Sequence, residues 1–391
     1  MSKITQDKKQ SAEMEDQWPV LAICYDFDKT LSPKNMQEFG LIQDLGYDDS
    51  PNGMRKFWRE VERFAKKQHI DVYLAGMYYF IRKMRKSGMK ICADTFRDYG
   101  KHVQLFQGVS TWFDRIRTIG KRHHVKIEHY VISAGYKEII EGTSIFKKLN
   151  GVFASTFYFD EDHEHVWAGR VLDFTGKTQV LYRIKKNKMD ENDPSVNEHV
   201  KKNRVPFRNM VYIGDSETDI PCMQIVKENG GNSIGVYQSK CANKERILEI
   251  MKDGRLSFYK RADYSAGSDL EKIVTAIIEK TEKCEKLQIE YEKMQESFKR
   301  TIKNQEIKKS KKANAKSKNG SHLDNTARNQ NIRTVQDSES VIPYVTMDDI
   351  RQWGLRSSTE GACQNFVCGV SPWKDDCNQQ DFRTRYLTFW H

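Results

Sequence analysis

The sequence predicts an α/β fold: a doubly wound, mostly parallel sheet with an inserted helical segment and a C-terminal extension, helical and then disordered. Three observations predict it. From Gly108 to Tyr264 short apolar runs alternate with amphipathic segments, the pattern of strands joined by helical crossovers. Apolar runs stop abruptly at Asp26, Ser133 and Asp215, and ligands in such sheets lie beyond the carboxyl ends of the strands. Between the first two of these stops, from about Asn35 to Phe106, the periodicity is helical throughout.

Taken in order, Leu21–Tyr25 is a short apolar run that reads as a buried parallel strand with Asp26 at its edge. Phe57-Trp58, Val61, Phe64-Ala65, Tyr73-Leu74, Met77, Phe80-Ile81 and Met84 then recur at three- and four-residue steps, enough for a small helical bundle. Val109–Ile119 reads as a helix, Lys126–Ile132 as a strand running into Ser133, and Gly135–Phe146 as a helix. Gly151–Phe159 is a strand and Val166–Leu172 the return arm of a hairpin; a helix covers Thr178–Lys186. Asn209–Ile213, Ser233–Tyr237 and a short Ala262–Tyr264 complete the strands.

From Glu271 the character changes. Val274, Ile277, Thr281, Cys284, Leu287, Tyr291, Met294, Phe298 and Ile302 recur in an approximate heptad among Glu and Lys. That pattern predicts a long charged helix suited to a coiled coil, and through it a homodimer. Lys308-Lys309-Ser310-Lys311-Lys312 opens a basic, Asn- and Ser-rich stretch that reads as a disordered linker. The expected layout is a core of 19–33 with 106–270, a helical insertion of 34–105, a helix of 271–307 and a linker of 308–340. No role is assigned to 341–391.

Bulk properties narrow the function classes. Of 391 residues, 38% are hydrophobic and 30% charged, with a formal net charge of +11. Much of that basicity lies in the late lysine run, so a nucleic-acid or protein partner is an expectation for the tail alone. Residues 1–18 lack the apolar core of a signal peptide, and no run approaches the ~20 apolar residues of a membrane span. The cysteines are scattered without a CxxC pair, which suits a reducing compartment. A cytoplasmic protein that engages no membrane is expected.

The chemistry concentrates in four places. Asp26 and Asp28 lie two apart on an extended segment, where regular strand geometry points both to one face. Carboxylates that close repel each other unless a cation lies between them. Asp215 and Asp219, in Gly214-Asp215-Ser216-Glu217-Thr218-Asp219, add a second acidic cluster at another strand end. Oxygen donors without nearby His or Cys suit Mg²⁺, and Mg²⁺ would let an anionic nucleophile reach phosphorus. Ser133-Ala134-Gly135 ends a strand and opens the next helix, whose free N–H groups suit phosphate. Lys177 is preferred over Lys185, Lys186 and Lys188 as the phosphate-binding cation because it precedes a helix rather than riding on it.

In order and spacing, Asp26-Phe27-Asp28-Lys29-Thr30, Val131-Ile132-Ser133-Ala134-Gly135, Lys177 and Gly214–Asp219 resemble the four motifs of the haloacid dehalogenase-like hydrolase superfamily. The resemblance spans about residues 20–270 and implies a Rossmann-like core. The helical insertion is similar to the cap of the phosphoserine-phosphatase-like branch. It implies that Asp26 is the nucleophile, forming an aspartyl-phosphate, and that Asp28 is the acid and base. Ser133, with Ala134 and Gly135, and Lys177 would bind the phosphoryl group, and Thr30 would hold the loop beside it. Asp26, the backbone carbonyl of Asp28 and Asp215 would bind Mg²⁺, with Asp219 in support. Lys29 stands where the superfamily often has Gly.

The expected function is therefore Mg²⁺-dependent hydrolysis of a small phosphorylated metabolite. A phosphotransferase using the same intermediate is the alternative within enzymes. A phosphate-binding or regulatory module acting through the basic tail is the alternative outside them. His163-Glu164-His165 reads as a solvated turn rather than a metal site. Cys363, Cys368 and Cys377 with His391 match no common zinc spacing and read as free thiols.

Overall fold

A computed structural model describes residues 17–161, 166–200, 202–238 and 243–318. The chain divides into two units, 1–314 and 315–391, and the fold below belongs to the first. His163, His165, Cys363, Cys368, Cys377, His391 and the segment 341–391 lie outside the described residues.

The central strand is β1 (Val20–Tyr25), buried along its whole length. Its side chains alternate between two cores: Leu21, Ile23 and Tyr25 join one, Val20, Ala22 and Cys24 the other. A strand covered on both faces has no polar position to spare, which is why the run is continuously apolar. Seven strands form the sheet. They are β1, β2 (Lys126–Tyr136), β3 (Gly151–Phe159), β4 (Val166–Arg170), β5 (Met210–Gly214), β6 (Asn232–Tyr237) and β7 (Phe258–Arg261). Their order is β4-β3-β2-β1-β5-β6-β7, and only β4 runs antiparallel to its neighbour. The chain winds outward from β1 to one side and then to the other, so the reversal falls between β1 and β5. A ligand crevice is expected at such a switch point.

Between β1 and β2 come α1 (Pro51–Gln68), α2 (Val72–Lys86), α3 (Ala93–Gly100) and α4 (Val109–Arg122). Local chemistry starts the first two. Ser50 caps α1 by accepting from Gly53 N, with Pro51 at the first helical position. Asp71 caps α2 by accepting from Tyr73 N and Leu74 N. Phe57 of α1 packs on Phe80 of α2, ring centres 4.7 Å apart, and Phe80 packs edge-on against Tyr136 of β2 at 5.6 Å. Aromatic contact thus ties the inserted helices to the sheet.

Beneath β1 lies a buried polar chain. Trp112 Nε1 donates to Tyr25 Oη (2.8 Å), Tyr25 Oη meets His129 Nδ1 (3.0 Å), and His129 Nε2 meets the carbonyl of Phe113 (3.2 Å). Burial holds the imidazole neutral, its pKa pushed down to about 3.

The second face of the sheet carries α6 (Phe174–Lys186), α7 (Ile220–Glu228) and α8 (Asn243–Lys252); α5 (Lys137–Glu141) is a short helix after β2. The last helix, α9 (Asp269–Lys318), has 50 residues. Its first turns are buried through Leu270, Val274, Ile277 and Ile278. They are pinned by Arg115–Glu271 (2.8 Å), His123–Glu282 (3.1 Å) and Arg208–Glu285 (2.9 Å). Among the described residues no helix is long and apolar enough to cross a membrane.

Four boundaries differ from the sequence reading. β2 continues to Tyr136, paired with Ser155 after a register shift, so Gly135 lies in the strand and the helix starts at Lys137. The helix read from Thr178 starts at Phe174, because Asp173 accepts from Gly176 N and caps it there. Lys177 therefore sits inside the first turn of α6 rather than before it. The last strand is Phe258–Arg261, an edge strand whose exposed side chains give no apolar signature. Finally, α9 runs to Lys318, through the first part of the predicted linker. No Pro or Gly interrupts 269–318, and Lys, Glu, Gln and Ala are good helix formers.

Candidate active site

The register of the sheet assembles the site. Tyr25 is level with Val131 of β2 and with Ile213 of β5. The next residues of the three strands, among them Asp26, Ser133 and Asp215, therefore emerge together at one edge. Asp26 N still donates to Ile213 O at 2.9 Å, and past it the backbone leaves the sheet. Thr30, Leu31 and Ser32 turn their N–H groups back on the carbonyl of Phe27. Lys29 adopts φ 58°, a left-handed conformation, which Gly takes without steric cost and Lys does not. Because β1 stops at Tyr25, the turn rather than a shared strand face brings Asp28 toward Asp26.

Asp26, Asp215 and Asp219 place carboxylate oxygens within 4.8 Å of one another, all three side chains buried. Lys177 Nζ donates to Asp26 Oδ1 (2.9 Å) and to Asp219 Oδ1 (2.8 Å), and Lys177 is 1% exposed. Asp219 is saturated by the protein: Tyr212 Oη also donates to its Oδ1 (2.8 Å), and Ser216 N and Oγ donate to its Oδ2. Its approach depends on Gly214, where a Cβ would lie 2.5 Å from Asp219 Oδ2.

Asp28 is held by Met36 N, which donates to its Oδ1 at 2.8 Å. The Met36 sulfur in turn accepts from Tyr136 N (3.1 Å). Gly135 lets this loop close, since a Cβ there would meet the Met36 methyl at 2.1 Å. Ser133 is buried, and its Oγ accepts from Gly135 N at 3.0 Å. Ala134 spends its carbonyl on Ser155 Oγ. Thr30 Oγ1 reaches Asp215 Oδ1 at 3.4 Å, and Thr30 O accepts from Tyr264 Oη at 2.8 Å. The five phosphate-binding candidates thus fall into two groups. Ser133, Ala134 and Gly135 line the end of β2; Thr30 and Lys177 touch the carboxylates.

Electrostatics are dominated by burial and an excess of negative charge. Burial pushes the Asp26 carboxyl up to about 6; Lys177 pulls it down and Asp219 pushes it up again. Burial and the neighbouring Asp26 raise Asp28 well above the ordinary carboxylate range. Burial, Asp26 and Asp219 do the same to Asp215. Burial also disfavours the Lys177 ammonium, but Asp219 and Asp26 outweigh it and hold the lysine charged. Asp26 stays raised despite its ion pair because burial, helped by the nearby Asp219 charge, outweighs the ammonium. An oxygen-only donor set with uncompensated buried negative charge is the environment a hard divalent cation requires.

Sequence reasoning missed Tyr212, Met36 and Tyr264. The only signal for Tyr212 is a hydroxyl in an otherwise apolar strand; Met36 acts through its backbone and sulfur, which no residue type announces. The inserted helices carry five polar or aromatic side chains of interest for substrate contact. Arg55, Arg59, Lys66 and Tyr78 are exposed, whereas Tyr73 is half-buried. Burial raises the Tyr73 phenol, and Lys177, Asp26 and Asp219 are the next charges acting on it.

A family model described as haloacid dehalogenase-like hydrolase matches residues 23–224. An uncharacterized protein of Borreliella burgdorferi is 25% identical over 286 residues, which cover 66% of this chain and 96% of the relative. Among solved structures, a phospho-aspartyl intermediate analogue of phosphoserine phosphatase has a TM-score of 0.41 at 16% identity, covering 66% of this chain and 99% of that one. A HAD family hydrolase from Salmonella enterica serovar Typhi has a TM-score of 0.39 at 13% identity, covering 66% and 77%. The match of the family model spans all four motif segments, from β1 through Asp219, and on it the chain belongs to the haloacid dehalogenase-like hydrolases.

Proposed function

We propose that this hydrolase is a Mg²⁺-dependent phosphatase that removes the phosphoryl group of a small phosphomonoester through an aspartyl-phosphate on Asp26. The observation that carries the reading is the buried cluster of Asp26, Asp215 and Asp219 bridged by the Lys177 ammonium. Such a cluster costs stability unless it is used, and it lies at the switch point of the sheet.

In this reading a carboxylate oxygen of Asp26 attacks phosphorus as the bond to the leaving alcohol breaks. Asp28 gives that oxygen its proton. Burial and the neighbouring Asp26 raise the Asp28 carboxyl, the direction that favours the protonated form a general acid needs. Water then attacks the phosphorus of the acyl phosphate, Asp28 takes its proton, and the bond to Asp26 breaks to release inorganic phosphate. Ser133 Oγ already accepts from Gly135 N, so its hydrogen remains for a phosphoryl oxygen. Lys177 supplies fixed positive charge beside Asp26, while Asp219 holds that ammonium in place. Asp26, Asp215 and the Asp28 carbonyl would hold Mg²⁺, which supplies charge neutralisation to the phosphate when bound. The inserted helices act as a cap that excludes water, with Tyr73 as the residue that meets the substrate.

Asp26→Asn tests the reading directly. Mg²⁺-dependent phosphate release from a panel of phosphorylated metabolites should vanish, and unchanged turnover would overturn it. Supplying alcohols as acceptors separates hydrolysis from transfer, since a transferase would make new phosphomonoesters at the expense of free phosphate.

A further inference from the structure

Helix α9 has two faces of opposite character. Toward the core it offers Thr281 (buried) and then Glu282, Glu285, Gln288 and Glu292 (partly buried), and beyond Glu292 every described side chain is exposed. The other face carries Leu287 (71% exposed), Tyr291 (59%), Met294 (72%) and Phe298 (61%). At ~100° per residue this apolar stripe lies roughly 140° around the helix from the core-facing one. The domain's own core therefore cannot cover it.

We propose that this stripe is the seam of a parallel, two-stranded coiled coil formed with a second copy of the chain. From Cys284 to Phe298 the apolar positions alternate in steps of three and four (Cys284, Leu287, Tyr291, Met294, Phe298), and the next step falls on Thr301, beside Ile302. These are the a and d positions of successive heptads. Placed side by side in register, each residue meets its own copy, the isologous contact a two-fold axis requires. The flanking positions permit it: Lys283 faces Gln288 of the other copy, and Glu290 faces Gln295, so no like charges meet across the seam. The two cores, lying away from the stripe, stay on the outside of the pair.

Length is the usual objection, because the seam from Cys284 to Thr301 covers under three heptads, and coiled-coil patterns are usually sustained over ~3–4. Here the helix is nucleated by its docked first half through Val274, Ile277 and Ile278, so association need not supply the cost of nucleation. Pairing ends naturally where Gln305 and Lys308 take over the seam positions.

The test is the molar mass of the full-length protein by light scattering across a concentration series into the high micromolar range. A mass that doubles with concentration is expected, and Leu287→Glu with Phe298→Glu should return it to one chain with an unchanged circular dichroism spectrum at low concentration. A wild type that stays monomeric, or a dimer that survives both substitutions, overturns the proposal. Orientation is read separately by a bifunctional maleimide. Covalent dimer that disappears in Cys284→Ser supports parallel pairing, and a dimer that never cross-links through Cys284 overturns it. None of these readouts depends on phosphatase activity.

Discussion

The edge of the sheet and the far half of α9 invert the usual distribution of polarity in opposite senses. At Asp26, Lys177, Asp215 and Asp219 the protein buries charge; at Leu287, Tyr291, Met294 and Phe298 it exposes large apolar groups. Each costs free energy in the isolated, ligand-free chain. On the readings proposed above, a cation and a phosphate would offset the first cost and a second molecule the other. The misplaced groups, rather than the well-packed core between them, are where this protein points to its function.

The largest test of that contrast is at the nucleophile. Asp26→Asn should lower phosphate release by at least about 10³-fold while the protein keeps its fold, and retention of activity breaks the assignment of the buried cluster to chemistry. Next comes Lys177→Met. Two buried carboxylates would lose their shared ammonium, and urea denaturation should report a loss of about 3–5 kcal/mol together with lost turnover. A stable, inactive protein would mean that the ammonium serves catalysis alone.

Proton linkage gives the third. A carboxyl whose pKa is raised by folding favours the folded state when protonated. Its contribution is fully present below its ordinary pKa and is lost as the pH rises through the folded value. For Asp26 that window runs from 3.8 to about 6, and Asp28 and Asp215 extend it upward. Without divalent cation, stability from this cluster should fall across that range. Added Mg²⁺ should therefore raise the melting temperature more at pH 7.5 than at pH 5. An equal shift at both would separate the cation from these carboxylates.

Tyr73→Phe is a smaller change: a KM raised a few-fold with kcat little altered would place the phenol on the bound substrate. Smallest of all, Met294→Gln should alter the stability of dilute protein by less than about 0.5 kcal/mol. A larger loss would show that the exposed stripe helps to hold the fold itself.

Much of the site was legible because its chemistry is written in residue types at strand ends. Asp26, Ser133 and Asp215 follow apolar runs, and a doubly wound sheet brings such ends together whatever the details of packing. The oddity of Lys29 was also visible, and its φ of 58° supplies the reason that Gly suits that position. What was not legible depends on contacts that cross the fold. In the sequence Lys177 reads as preceding a helix, yet it lies within α6 and reaches the site from the first turn because Asp173 sets the start of that helix. Gly135 reads as opening a helix, because the register shift that keeps it in β2 leaves no mark in composition. Tyr212 meets Asp219 only because the turn after β5 folds Asp219 back over the strand end. The reach of α9 past 307 was masked by charge, which resembles a disordered tail until a docked first half nucleates the helix.

The polar chain beneath the nucleophile strand has a direction. The Phe113 carbonyl can only accept, so His129 carries its hydrogen on Nε2, and its Nδ1 must accept from Tyr25. Tyr25 donates to His129 and receives from Trp112, and every hydrogen in the series is assigned without freedom to rotate. His129 is thereby a single, locked tautomer one strand away from Tyr25, the residue before Asp26. Its ring nitrogens form a built-in spectroscopic probe: while β1 and β2 keep their register, their resonances should report one neutral tautomer at pH values above about 3.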